Sequence, residues 1–279
     1  MEIHKPKPVH SWREFIKEYA IIVLGVATAL AAEQTIEWLH WRSQVAQARE
    51  QIAHETAFNL VGAIVRIRIA PCVEHRLDAL ALILDAAGKS GALPAVGDIS
   101  MPRRVTWQSG VWDSLVASQT APHFPSSQLQ NLTRIYNLVQ RSDVTTVQES
   151  DYWKRLYGIV GPGRRLDPGS EAVLRQALGE ARGTNRVVIS LSYTLLHAAG
   201  IQELPFSPED RATLARIRQI QLTGTKPSLN APLAFQICDP LGPVPAAYGQ
   251  APFSALPTLL DEAVKTIPDY SGAAPSGLE

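Results

Sequence analysis

The longest uncharged apolar stretch of the chain, YAIIVLGVATALAA, lies at residues 19–32. Helical periodicity continues on both sides of it, beginning from a capping pattern at Ser11 and Glu14. Fourteen helical residues extend about 21 Å, which is shorter than the ~30 Å hydrocarbon core of a bilayer. Apolar residues on each flank lengthen the run, so we predict one transmembrane helix at residues 15–39.

Two other interpretations of this stretch stay open. Ala29-Leu30-Ala31 resembles the A-x-A site behind the apolar region of a cleaved signal peptide. Against cleavage, Glu14 and Glu18 lie where a signal peptide carries positive charge, and no helix breaker follows. A short apolar run is also typical of a helix buried in a protein core.

Positive residues are more frequent before the predicted span than after it. Lys5, Lys7, Arg13 and Lys17 precede it, whereas Arg42 and Arg49 follow it. The positive-inside rule therefore predicts a cytoplasmic tail at residues 1–14, an inner (cytoplasmic) membrane location and an extracytoplasmic main domain. Trp38 and Trp41 suit the interfacial belt where aromatic rings anchor a membrane helix.

One face of the predicted span carries small residues and a carboxylate. Gly25 and Ala29 form a small-xxx-small pair, and Glu33 follows one turn later. Small residues allow another helix to approach closely, and a carboxylate near the membrane edge needs a partner or water. We interpret this face as a contact with another membrane or envelope protein, or with a second copy of the chain. The alternative is that Glu33 lies at the lipid interface and Gly25 is incidental.

Beyond the span, apolar residues follow heptad steps of three and four: Trp38, Trp41, Val45, Ala48 and Ile52. The helix is predicted to continue until Pro71 stops it. A second helix is predicted at residues 72–87, with Gly88 as its C-cap, and a loop at residues 88–105.

The following segment, up to residue 225, also has helical periodicity. The predicted signals are a short helix at 106–119, a capping box at Ser127 and Gln130, a bend or break near Asp143, a cap at Ser170 and a start at Ser207-Pro208. No stretch alternates as a strand does, so the sequence predicts an all-α extracytoplasmic bundle over residues 40–225.

The C-terminal fifth of the chain has a different character. Nine prolines occur after Lys226, which predicts a mostly irregular segment at residues 226–279 that wraps the bundle. One short helix is predicted near residues 258–265, and residues 269–279 are predicted to be disordered.

Composition narrows the classes of function. The 279 residues carry 26 basic and 26 acidic side chains, so the chain lacks the basic excess of a nucleic-acid-binding protein. The two cysteines, Cys72 and Cys238, could form a disulfide in an oxidising compartment. Two unpaired buried thiols are the alternative.

No pattern in the chain matches a catalytic or cofactor site. Cys72-x-x-His75 has metal-ligand spacing but lacks a second pair, and His54 lacks the partner histidine of a zincin helix. The glycines at residues 158–163 follow no strand, so they indicate a turn between helices. We predict no catalytic residue, no metal and no cofactor.

Two stretches resemble a family: EYAIIVLGVATALAAEQ at residues 18–34, and WDSLVAS at residues 112–118 followed by LQNLTRIYNLV at residues 129–139. It comprises uncharacterised bacterial single-pass membrane proteins in which a short N-terminal anchor helix leads into a helical extracytoplasmic domain. The resemblance covers about a fifth of the chain and implies topology and fold. Its motifs are anchor and packing residues, so it implies no activity.

These observations predict a membrane-anchored, non-enzymatic accessory or scaffolding subunit. One alternative is a sensor-type domain that binds a small ligand between its helices. The other is an envelope enzyme with an unfamiliar site, which a spatial cluster of histidines would favour: His54, His75, His123 and His197.

Overall fold

The structure is a computed structural model that describes residues 12–202, 204–219, 233–239 and 241–242. Of the described residues, 82 % are helical, and the all-α prediction is confirmed. The chain divides into two compact units, Met1–Ala48 and Arg49–Glu279, and each is described by itself.

The first helix, α1, spans Trp12–Ser90 and passes through Pro71 without ending. The prediction that Pro71 separates two helices is therefore wrong. A proline inside a helix removes one backbone hydrogen bond and destabilises the helix by about 3 kcal/mol. However, Ile67, Ile69 and Val73 around it are at most 1 % exposed, and burying each such side chain contributes about 1.5–3 kcal/mol. Packing on both sides of the proline outweighs the lost bond.

The predicted C-cap at Gly88 is also wrong, because α1 continues to Ser90. Gly91 ends the helix with a positive φ of 71°, and its N–H donates to the Ala87 carbonyl. The predicted loop at 88–105 thus begins later, and it contains a two-residue strand, β1 (Ala92–Leu93).

Helices α2 (Gly110–Ala117) and α3 (Ser126–Leu156) follow. The short helix was predicted in the right place but too long. The capping box at Ser127 and Gln130 is wrong, because Pro125 is the N-cap and no side chain caps α3. Of the predicted bend or break near Asp143, the break is wrong, because α3 runs through this residue.

Two further helices complete the bundle, α4 (Pro168–Gln202) and α5 (Pro208–Gln219). The predicted cap at Ser170 is wrong: Asp167 accepts the Ser170 N–H at 2.9 Å and caps α4 instead. The predicted start at Ser207-Pro208 is confirmed, because Ser207 Oγ accepts the Asp210 N–H at 3.0 Å.

Between α3 and α4, strand β2 (Arg164–Arg165) pairs antiparallel with β1, Ala92 opposite Arg165. Within the second unit, α1 and α4 run antiparallel, because Asp78 and Asp85 of α1 meet Arg182 and Arg175 of α4 in reverse order. The core of the bundle is largely aliphatic, with fully buried side chains from α1, α3 and α4: Ile52, Leu60, Ile64, Leu77, Leu80, Leu84, Leu132, Ile135, Val188 and Leu195.

The C-terminal predictions fall largely outside the described residues. Leu233–Cys238 form a 3-10 helix. The short helix near residues 258–265, the disorder at 269–279, the wrapping of the bundle and the cap residue Ser11 lie where the structure describes nothing.

Candidate functional site

The proposed partner face lies on a part of α1 whose side chains are all exposed. Residues 12–40 are exposed throughout, including Gly25, Ala29 and Glu33. Open space surrounds Gly25, where an added Cβ atom would meet nothing within 4 Å. The exposed side chains are large and apolar along this stretch: Phe15, Ile16, Tyr19, Ile21, Ile22, Val23, Leu24, Val26, Leu30, Ile36 and Leu39.

Exposure of so many apolar side chains to water is unfavourable. Contiguous exposed apolar patches of this kind mark protein or membrane contact sites. Two hydroxyls within this stretch bond to the helix itself: Thr28 donates to the Leu24 carbonyl and Thr35 to the Ala31 carbonyl, each at 2.7 Å. Their polarity is thus satisfied without an external partner. Among the described residues, α1 is the one helix long and apolar enough to cross a membrane.

Trp38 and Trp41, the predicted interfacial anchors, lie at the end of this stretch. Trp38 is 57 % exposed, and the Arg42 guanidinium lies 5.3 Å from its ring centre. Trp41 is half-buried and donates from Nε1 to Glu37 at 3.4 Å. Each ring therefore combines an apolar body with charged neighbours. The seam residues that follow, Val45, Ala48 and Ile52, are buried.

The structure joins Cys72 of α1 to Cys238 by a disulfide, with the Cα atoms 4.9 Å apart. One turn further along α1, the buried Arg76 donates to the carbonyls of Ile99, Ile237 and Asp239. Burial lowers the pKa of Arg76, and nearby acidic groups oppose that shift. These contacts hold residues 237–239 on α1.

A buried charged network between α1, α3 and α4 was missed by sequence reasoning. Arg66, whose side chain is 1 % exposed, donates to Glu149 at 2.7 Å and to Asn185 at 3.4 Å. Asn185 in turn donates to Glu74 at 3.0 Å. Burial raises the pKa of Glu149, and the charge and hydrogen bond of Arg66 only partly oppose this. The available signal was the pair of arginines, Arg66 and Arg68, inside the otherwise apolar run at residues 64–69.

A second polar contact fixes the chain before α2. The Glu55 carboxylate, which is 4 % exposed, accepts the N–H groups of Val111 and Trp112 at the start of that helix. One turn later, Asn59 exchanges two hydrogen bonds with the backbone of Gln108, at 2.8 and 2.9 Å. Both side chains bind the backbone that leads into α2, which favours a structural role.

His54 and His75 both lie on α1, His123 lies in the 3-10 helix Ala121–His123, and His197 lies on α4. The exposed His54 ring bonds through Nδ1 to Asp210 of α5 at 2.8 Å. Burial alone would raise the pKa of Asp210, but hydrogen bonds from Ser207 and His54 together lower it. Within the described ranges, no group of three or more His, Cys, Asp or Glu side chains could hold a metal ion.

No protein-family model, curated protein or solved structure matches this chain. The resemblance to bacterial single-pass membrane proteins stays a prediction.

Proposed function

We propose that the protein is a membrane-anchored, non-enzymatic accessory or scaffolding subunit that binds another membrane or envelope protein. In this proposal residues 15–39 cross the inner membrane, residues 1–14 face the cytoplasm and the helical bundle is extracytoplasmic. The face formed by Gly25, Ala29 and Glu33 contacts the partner's membrane helix.

The observation that carries the proposal is the complete exposure of the apolar segment of α1. No residue in its most apolar 18-residue window is buried, although every aliphatic side chain of that window favours a non-aqueous environment. A core helix would be covered by its own fold. The exposed segment instead needs lipid or another protein around it, and its length including the flanks suits a bilayer.

Two observations support the proposed orientation. Basic residues are more numerous before the span than after it, which favours a cytoplasmic N-terminus. The Cys72–Cys238 disulfide lies beyond the span, and disulfides persist mainly in oxidising compartments outside the cytoplasm. The two arguments are independent because one concerns insertion and the other concerns redox chemistry.

The partner face is argued from side-chain size and helix geometry. Successive positions four residues apart on a helix rotate by about 40°, so Gly25, Ala29 and Glu33 share one side. The absence of a Cβ at Gly25 lets a second backbone approach closely there. Glu33 would then accept a hydrogen bond or pair with a cation from the partner rather than lie unpaired near the membrane edge.

The experiment is a mild-detergent pull-down of the full-length protein beside a Gly25→Leu, Ala29→Leu variant. The matched control is Ala27→Leu, Ala31→Leu, which adds similar bulk to the opposite side of the same helix. A stoichiometric partner that co-purifies with wild type and control, and is lost from the first variant, is the expected result. Recovery of the wild type alone and monomeric would overturn the proposal and make ligand screening of the bundle the next step.

A further inference from the structure

A clasp holds a C-terminal segment of the chain on α1. Its α1 part consists of Cys72 and Arg76, which lie one turn apart, and its C-terminal part consists of residues 237–239, which these two side chains contact. The covalent link joins Cys238 to Cys72, and the Arg76 guanidinium donates to the carbonyls of the residues before and after Cys238. One disulfide and two hydrogen bonds from a charged guanidinium thus hold the three consecutive residues 237–239.

Arg76 depends on this segment for its hydrogen bonds. Its side chain is buried, and of its three carbonyl acceptors two belong to Ile237 and Asp239, while the third belongs to Ile99. A buried guanidinium is stable only when its donors are satisfied. If residues 237–239 moved away, only the Ile99 carbonyl of these three acceptors would remain. The Arg76 guanidinium therefore keeps all three hydrogen bonds only while the segment is docked.

We propose that the clasp is a redox-controlled latch: a protein dithiol opens the Cys72–Cys238 bond, and residues 233–239 then leave α1 and uncover Arg76. The proposal is independent of the membrane partner. It concerns the bundle's own C-terminal contact, so the pull-down and the experiment below can fail separately.

Thiol–disulfide exchange accounts for the opening step. Cys72 is 1 % exposed whereas Cys238 is partly exposed, so the incoming thiolate attacks the Cys238 sulfur. A mixed disulfide forms, and the Cys72 sulfur leaves with the bonding electron pair and takes up a proton. The second thiol of the reductant then attacks the mixed disulfide, frees Cys238 as a thiol and leaves the reductant oxidised to its disulfide.

Arg76 also assists the departure of Cys72. A cation beside a cysteine stabilises its thiolate, and Arg76 follows Cys72 by four residues on the same face of α1. The side chain that binds the docked segment therefore favours the leaving group when the bond breaks.

Release follows from the loss of the covalent link. The disulfide joins residues 166 positions apart in the chain, and once it is open only non-covalent contacts oppose the conformational entropy that the segment gains on leaving α1. Among the contacts described for residues 237–239, those that remain are the two carbonyl bonds to Arg76 and the burial of Ile237. Water can replace the carbonyls once the segment moves away.

Hydrogen–deuterium exchange of the full-length protein in detergent tests the latch, with dithiothreitol as the dithiol probe. Reduction is expected to accelerate exchange about ten-fold or more in peptides covering 233–239 and 95–101, with peptides of α3 unchanged. The Cys72→Ser, Cys238→Ser variant should give the same pattern without reductant. Unchanged exchange at 233–239 overturns the latch. So does acceleration throughout α3 and α4, because that would mean the bundle unfolds.

The role of Arg76 is tested by the rate at which dithiothreitol reduces the disulfide in Arg76→Lys and Arg76→Met. Both variants lose the arginine's fork of carbonyl contacts, but only lysine keeps the positive charge. The lysine variant is expected to react roughly three- to ten-fold faster than the methionine variant. Equal rates would overturn the assignment of Arg76 to the leaving thiolate.

Discussion

Replacing both Arg66 and Glu149 with apolar side chains is expected to change the stability of the bundle far less than replacing either one. Arg66→Met leaves a carboxylate in a site where it is only 5 % exposed, and Glu149→Leu leaves a guanidinium in a site where it is 1 % exposed. Breaking one side of a buried ion pair costs about 3–5 kcal/mol of unfolding free energy. Each single variant should fall in that range.

The double variant removes both desolvated charges. Comparable replacements elsewhere are neutral or stabilise by about 1–4 kcal/mol. Here Asn185 Oδ1 would lose its Arg66 donor, which subtracts about 1–3 kcal/mol. Arg66 Nε and Nη1 have no hydrogen-bond partner in the network, so the native pair is not ideally satisfied. We therefore expect the double variant to lie within about 2 kcal/mol of the wild type.

The measurement is guanidinium chloride unfolding of the four proteins in detergent, followed by tryptophan fluorescence, to which the fully buried Trp153 contributes. The control is Arg155→Met, which breaks the exposed ion pair with Glu180 between α3 and α4. That variant should lose at most about 1 kcal/mol. Single-variant losses equal to that control, or a double-variant loss equal to the sum of the singles, would refute the reasoning.

The same pair predicts a pH dependence. Burial raises the pKa of Glu149 in the folded protein, so between the unfolded and folded pKa values the folded state binds more protons. Stability from this group is therefore fully present below the unfolded value and is lost as pH rises through the folded one. Lowering the pH from neutral should stabilise the wild type relative to the double variant, and a shift in the opposite direction would contradict this sign.

Two further predictions concern packing and the contact between α1 and α5. An added Cβ at Gly62 would lie 2.5 Å from Val105 Cγ1, so Gly62→Ala should destabilise despite the better helix propensity of alanine. Val105→Ala should rescue it in the double variant, as measured by thermal unfolding, and a stabilising Gly62→Ala would contradict the packing. The pKa of Asp210 is lowered in the folded protein. The stability that this side chain contributes is therefore present above its unfolded pKa and is lost as the pH falls through its folded pKa. The protection factors of the α5 amides, which correct for the slower intrinsic exchange in acid, should fall as the pH falls. His54→Ala should remove part of this dependence, and protection factors that do not change with pH would contradict it.

The sequence predicted the features that depend on local pattern. The helical class follows from periodicity, and the start of α5 follows from Ser207 and Pro208, whose capping chemistry involves neighbouring residues only. The exposed apolar segment could also be located, because a charge-free run of this kind is rare in a chain of ordinary composition.

The errors occur where tertiary packing decides. A proline usually ends a helix. At Pro71 the burial of its neighbours keeps α1 continuous, and that burial depends on helices distant in sequence. At the start of α4, Asp167 and Ser170 are both good caps, and the geometry selects the first. The pairing of Arg66 with Glu149 joins residues 83 positions apart, so no local pattern could indicate it.

Topological labelling tests the anchored arrangement most directly. Ser11→Cys and Ser43→Cys place one thiol on each side of residues 15–39, and the unmodified parent chain is the control because disulfide-bonded cysteines do not react with maleimide. In intact cells stripped of any outer barrier, the account predicts that a membrane-impermeant maleimide labels the Ser43→Cys protein, and labels the Ser11→Cys protein only after lysis. Labelling of both before lysis, or of Ser11→Cys alone, would contradict it.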